Sequence, residues 1–323
     1  RVEVRTPRLQ AAFVGARLAS LMGPDGAELV RADSPDGPAG IELEFIDGRP
    51  HALGTGPQAV VRAVQVGADV AHIHVEDIEG DACLRVSTDA AGRLAVEPSA
   101  QSLRRGLGAV RWNVAGIAAG QKLVAPFFQG CRQDLTDPLV AGSDWPWPIS
   151  WESPLAILQG PARGWSVCCH DRLSLPKALR VGHERDPRTL SFCTEALGPW
   201  DASQAAGSIA WIVDTHEGGW EQAAEAYRRW LWEAFGLGAL EALRPEWARE
   251  IRLTLQWCPC RADILDAVAR VLHPREVLLH VPAWRTDPYD VNYPDYVASD
   301  EGAAFIAEDR KSTRLNSSHC TPS

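Results

Sequence analysis

Residues 284–296 read WRTDPYDVNYPDY and set Trp284, Tyr289, Tyr293 and Tyr296 among Asp287, Asp290 and Asp295. Flat aromatic faces cover apolar ring surface, and carboxylates accept hydrogen bonds from hydroxyls. The mixture suits a polyhydroxylated ligand such as a sugar. The stretch directly follows the apolar run EVLLHVPAW, which reads as a buried strand, so it lies at that strand's C-terminal end. In α/β barrels that edge builds active sites, because the loops converge there while the strands stay rigid. Trp284, Asp287, Tyr289, Asp290, Tyr293 and Asp295 are therefore the expected substrate contacts, with the aspartates holding hydroxyls rather than moving protons. The competing reading is that Pro288, Pro294 and the tyrosines simply pack the loop onto its neighbour.

Other clusters promise less chemistry. Asp214, His216 and Glu217 in DTHEGGW fall where a strand becomes a helix, and acidic residues before a helix N-terminus explain them without a ligand. The loop GSDWPWPISWE, residues 142–152, is rich in Trp and Pro and is expected to pack at an interface between domains. Cys168 and Cys169 are neighbours, so in a strand they point to opposite faces. Cys168 with His170, or Cys258 with Cys260, offers two ligands where a structural zinc takes four. The cysteines therefore read as small buried hydrophobes, and no metal is expected. No GxGxxG follows a strand, and no Walker loop, HExxH or GxSxG is present, so no cofactor is expected either.

The elements that must position the aromatic loop come in two kinds. Up to about Asp214 the chain reads as short strands separated by turn signals. FVGARLASLMGPDGAELVRA is one hairpin, and GIELEFIDGRPHALG, VAHIHVEDIEGDACLRVSTDAAGRLAVEP and VRWNVAGIAAGQKLVAPFF repeat the pattern. Strands without helices between them indicate a large β-sandwich. The pattern then changes. Trp220, Ala223, Ala224, Tyr227, Trp230, Leu231, Ala234 and Phe235 recur on one helical face. After this connector come a strand in IRLTLQW, a helix in RADILDAVARVL, the strand EVLLHVPAW and a helix beginning at DEGAAFIAE. Strand–helix alternation predicts parallel βα units, which need further structure to cover both faces.

Composition narrows the partners. With 46% hydrophobic and 23% charged residues the chain has the make-up of an ordinary globular protein. Its net charge of -10 disfavours a nucleic acid, whose phosphates are met by clustered Lys and Arg. No run of about 20 apolar residues is present to span a membrane. Tryptophan is over-used, with 13 residues against 4 Tyr and 7 Phe, which fits a Trp-filled core and aromatic sugar platforms alike. Oligomeric state is not legible.

The order of these elements, with PFFQG near the middle, GSIAWIVDTHEGGW running into QAAEAYRRWL, then PEW and the βα units ending in YDVNYPDY, resembles the bacterial domain of unknown function 6259. The connector motif W-x2-A-A-x2-Y-R-x-W, here Trp220 to Trp230, supports that architecture more than any substrate. The resemblance implies a glycoside-hydrolase-like protein: a large galactose-mutarotase-like β-sandwich, a connector helix, and the first βα units of an incomplete (β/α)8 barrel. The change of pattern along the chain divides it into a sandwich, 1–217, a helical connector, 218–248, a truncated barrel start, 249–308, and an artefactual or disordered tail, 309–323. The resemblance also implies a carbohydrate ligand and hydrolysis by two carboxylates, which in such barrels come from later strands and are placed on no residue here. The alternative is a non-catalytic carbohydrate-binding or structural sandwich protein. Residues 309–319 back-translate into codons resembling a sequencing adapter, and the chain starts at Arg1 without Met. Both ends are expected to be those of a fragment that is itself inactive, which leaves localisation open.

Overall fold

The computed structural model describes residues 1–32, 40–55, 58–183, 188–207 and 209–313. Two compact units divide at Phe235 and Gly236. The division falls inside the stretch read as a connector, because the helix Glu221–Phe235 buries its own apolar face on the first unit.

The first unit is a layered antiparallel β structure. A ten-stranded sheet runs Cys131–Asp134, Lys122–Ala125, Leu155–Gln159, Arg163–Cys169, Trp211–Glu217, Leu94–Ser102, Gly80–Thr88, Val70–Asp77, Val60–Gln65, and Ala205–Gly207 pairs with Leu94–Ser102. A six-stranded sheet runs Asp144–Trp147, Lys177–Val181, Leu190–Glu195, Leu107–Val114, Ile41–Phe45, Pro50–Ala52. A four-stranded sheet holds Val2–Arg5, Gln10–Val14, Arg17–Met22 and Glu28–Arg31. Alternation decides the faces. In Val70–Asp77, Ala71, Ile73 and Val75 are buried while His74 and Glu76 are exposed, the pattern of a sheet with one wet face.

One continuous core joins the sheets. Trp112, Trp151, Trp165 and Trp211 are fully buried in it. Each such side chain removes about 150–250 Å² from water, worth about 4–6 kcal/mol before ordering costs. Five of the 13 tryptophans, Trp112, Trp145, Trp151, Trp165 and Trp211, are thus core rather than sugar platform. The loop 142–152 differs from expectation in the same way: Trp145 and Trp151 are buried in the sandwich itself.

A second, smaller cluster lies on the other face of the ten-stranded sheet, where Ala95, Leu155, Ile157, Cys168 and Ile212 receive Ala223 and Tyr227 of the helix. Cys169 belongs to the main core and Cys168 to this cluster, as strand alternation requires. Trp230 stacks on His170 with ring centroids 4.3 Å apart and planes 5° from parallel.

The run FVGARLASLM, expected to be one strand, is two. Gly15 turns the chain at φ +59° between Gln10–Val14 and Arg17–Met22, a left-handed conformation that glycine adopts without cost. VRWNVAGIAAGQKLVAPFF is likewise no hairpin, since Leu107–Val114 and Lys122–Ala125 lie in different sheets.

The second unit contains the short helices Leu237–Ala242 and Glu246–Glu250, the strand Leu253–Leu255, the helix Ala262–Val271, the strand Val277–Leu279 and the helix Asp300–Thr313. Its two strands pair in parallel, Leu253 opposite Val277, as βα alternation predicts. EVLLHVPAW is less buried than expected, because Leu278 is 43% exposed. The last helix continues past Glu308 into the residues read as a tail, of which 314–323 lie outside the described residues. No described helix is long and apolar enough to cross a membrane.

Candidate functional site

The loop after Val277–Leu279 is closed on itself. Thr286 N–H donates to the Val297 carbonyl at 2.9 Å, and Arg285 bridges to Ala298. Inside the closed loop Arg285 is buried. Its guanidinium donates to the carbonyls of Asp295 at 2.8 Å, Pro288 at 2.8 Å and Val291 at 2.7 Å. Three charge-assisted bonds from one rigid fork fix a segment with no regular structure of its own.

The base of the loop is tied to the following helix. Ser299 Oγ accepts from the Gly302 N–H at 3.0 Å and donates to the Trp284 carbonyl at 3.1 Å, which makes Ser299 an N-cap. A Cβ on Gly302 would stand 2.1 Å from the Trp284 carbonyl oxygen. That close approach requires glycine.

Of the expected contacts, Trp284 stacks on Tyr296 with centroids 6.5 Å apart and planes at 5°, and Tyr293 lies 6.0 Å from Tyr296. Tyr289 instead meets Trp257 edge-on at 5.0 Å. Tyr289 and Tyr293 are about half exposed and Tyr296 more so, so apolar ring surface is available to a ligand. The aspartates divide. Asp287 accepts from the Asn292 amide at 3.3 Å and Asp295 from the Val297 N–H at 3.2 Å, so both serve the loop's own turns. Asp290 is exposed at φ +62°, with its N–H toward the Tyr293 hydroxyl at 3.4 Å.

Sequence reasoning missed the residues contributed by the neighbouring strand end. Trp257, 60% exposed, follows Leu253–Leu255 after Gln256 and lies 6.0 Å from the His280 ring, which follows Val277–Leu279. His280 Nδ1 is 3.1 Å from Gln256 Oε1. The signal was present: the strand-end logic that singled out residues 284–296 applies equally to QW after IRLTL. Gln256, Trp257, His280 and Tyr289 thus line the C-terminal edge of the parallel pair. This edge can stack an apolar ring face and exchange hydrogen bonds with hydroxyls.

The sandwich carries a second polar surface. A hollow of about 250 Å³ on the six-stranded sheet is lined by Glu44, Arg180, Glu195, Phe45 and the 58%-exposed Trp200. Arg180 reaches Glu44 and Asp144, both at 2.7 Å, and Arg111 reaches Glu44 at 2.5 Å and Glu42 at 3.5 Å. Burial, with Asp144 and Glu44 nearby, pushes Glu195 above the ordinary carboxylate range. These residues are outward alternates such as those of IELEF, and outward polar residues are ordinary in a strand. Sequence alone gave no reason to mark them.

Asp214 is held by Arg8 at 2.9 Å and His216 Nε2 lies 3.0 Å from Gln159 Oε1. Both are taken up by the sandwich.

The chain thus combines a layered antiparallel β unit with a smaller unit built on one parallel strand pair. Residues 206–322 match the family described as Domain of unknown function (DUF6259), the domain indicated by the connector and strand-end motifs. Among solved structures, the α-N-acetylgalactosaminidase NagBb from Bifidobacterium bifidum in complex with GalNAc shares the fold at a TM-score of 0.61 and 12% identity, over 96% of this chain and 57% of that one. Its ligand-free form gives 0.61 and 11%, over 98% and 58%. The chain therefore spans little more than half of that enzyme's length. A galactose mutarotase-like protein from Lactobacillus casei ATCC 334 aligns over 67% of this chain and 99% of its own, at a TM-score of 0.42 and 11% identity. No curated protein matches in sequence.

Proposed function

We propose that this chain is the N-terminal part of a carbohydrate-active enzyme of glycoside-hydrolase type, in which the strand-end edge of the second unit contacts a sugar. The carrying observation is the exposed aromatic set Trp257, Tyr289, Tyr293 and Tyr296 at the C-terminal ends of two parallel strands. Trp284, Asp287, Asp290 and Asp295 complete the proposed contacts. In this reading the two strands begin a (β/α)8 barrel, and later strands of the parent protein supply the acid and the nucleophile or base. Resemblance in fold to a longer glycosidase supports it; fold by itself does not fix the substrate.

The test is to titrate the purified chain with a panel of mono- and oligosaccharides, following tryptophan fluorescence, while assaying aryl glycosides for turnover. The expected result is weak, saturable binding without hydrolysis, weakened about tenfold in Trp257→Ala when that variant is followed by chemical-shift titration. Turnover by this chain would refute the assignment of the catalytic carboxylates elsewhere. Absence of saccharide binding at millimolar concentration would refute the proposed contacts.

A second reading rests on the hollow of the six-stranded sheet: a non-catalytic saccharide-binding sandwich using Trp200, Arg180 and Glu195. Binding lost in Trp200→Ala and retained in Trp257→Ala would favour it.

A further inference from the structure

The outer face of the ten-stranded sheet carries a donor cluster that neither sugar-contacting surface uses. His72 and His74 alternate on Val70–Asp77, and Cys83 of Gly80–Thr88 stands directly opposite His74. Residues two apart on a strand are about 7 Å apart on one face, and cross-strand partners about 5 Å. The three side chains therefore converge over one point of the sheet.

The side-chain geometry agrees. The imidazoles lie 15° from parallel with centroids 6.3 Å apart, and Cys83 Sγ is 3.9 Å from His74 Nε2. One ligand atom from each of the three lies within 4.8 Å of the other two. Tetrahedral bonds of about 2.0–2.3 Å to nitrogen and sulfur would bring those atoms to roughly 3.3–3.6 Å from one another, a shift that side-chain rotations of about 1 Å supply. The rest of the sandwich leaves this cluster unexplained, since all three side chains face outward from the core that covers Ala71, Ile73, Ala82 and Leu84.

We propose that His72, His74 and Cys83 bind a divalent metal ion of the zinc class, with the fourth position open to water or an exogenous ligand. Two imidazoles and a thiolate select a borderline-soft ion over magnesium or calcium, which take oxygen donors. On binding, the Cys83 thiol gives its proton to solvent and the imidazoles bind in their neutral form. Nearby charges set the strength. Arg62 stands opposite His74 and Arg85 opposite His72; Arg85 is paired with Glu97 at 2.5 Å, and Asp81 lies two residues from Cys83 on the same strand. A site that joins two adjacent strands resists their separation, so the bound ion stabilises the sheet edge by mass action.

Cobalt(II) reads the site directly, because a thiolate ligand gives a charge-transfer band that imidazole alone does not. The whole chain carrying Cys131→Ser, Cys260→Ser and Cys320→Ser keeps Cys83 while removing the two other partly exposed thiols among the described residues and the cysteine that lies outside them. It is expected to bind one equivalent of Co²⁺ with that band, and Zn²⁺ should displace the cobalt and raise the melting temperature. Adding Cys83→Ser should abolish the band, and His72→Asn or His74→Asn should each weaken binding at least about tenfold, with the far-ultraviolet circular dichroism unchanged. Absence of the band at millimolar cobalt, its survival in Cys83→Ser, or affinity unchanged from that of the parent in the histidine variants would overturn the proposal.

Discussion

The guanidinium carbon of Arg285 lies 4.2 Å from the centre of the Tyr293 ring while its nitrogens hold three carbonyls of the same loop. One buried cation thus organises the aromatic loop and supports one of its ring faces. Arg285→Met should leave those carbonyls without donors and destabilise the loop by about 2–4 kcal/mol. Arg285→Lys should not rescue it, because an ammonium donates from one nitrogen and cannot span acceptors that the guanidinium meets with two. Hydrogen exchange checks this: residues 286–298 should exchange faster in both variants while the sandwich stays protected.

Trp257 offers the largest exposed ring at the strand ends. Trp257→Ala should weaken saccharide binding about tenfold, and Trp257→Tyr should recover part of it, since a smaller ring still stacks. Fluorescence loses its reporter in these variants, so chemical-shift titration is the appropriate measurement.

His170 is pressed against Trp230, and burial, with Arg93 nearby, lowers its pKa from 6.5 to about 4. The unfolded chain therefore binds a proton that the folded chain refuses between those values. Stability contributed by neutral His170 is fully present above about 6.5 and is lost as pH falls toward 4. His170→Phe keeps the stack and removes the titration. Its melting temperature should fall less steeply than that of the parent between pH 6.5 and 4; equal slopes would contradict this account.

Lys177 is 1% exposed, with its ammonium 3.0 Å from Asp171 and 3.9 Å from the Trp147 ring centre. Burial works to raise the Asp171 pKa. The hydrogen bonds from Leu173 N–H, Lys177 and Leu175 N–H overcome it, so the net shift is downward. Lys177→Met alone strands a buried carboxylate and should cost about 3–5 kcal/mol. Lys177→Met with Asp171→Leu should recover much of that loss, and urea denaturation of the two variants separates the outcomes.

In the second unit Leu253–Leu255 and Val277–Leu279 pair only with each other among the described residues. Open strand edges and a 43%-exposed Leu278 leave that unit with few protecting contacts. Limited proteolysis should cut beyond about Gly236 first and leave a stable sandwich; equal protection of both units would contradict this.

The sequence by itself determined whatever depends on local periodicity. Alternation in VAHIHVED fixed which residues face the core, the same alternation separated Cys168 from Cys169, and the helical face from Ala223 to Leu231 was readable because one stripe had to be buried. Strand–helix alternation likewise determined that the strands Leu253–Leu255 and Val277–Leu279 run parallel, while their register came from the structure. Tertiary structure alone decided where separate segments meet. The sequence contains Trp151 and Trp257 as equals, yet one is fully buried in the sandwich and the other 60% exposed at a strand end, because sheet packing rather than residue type assigns burial. His74 and Cys83 are nine residues apart in the chain, but only the register of their two strands sets them face to face. Arg285 carries no mark in WRTDPYD as the residue that holds the loop, since its acceptors are backbone carbonyls, which every residue has and no sequence pattern distinguishes.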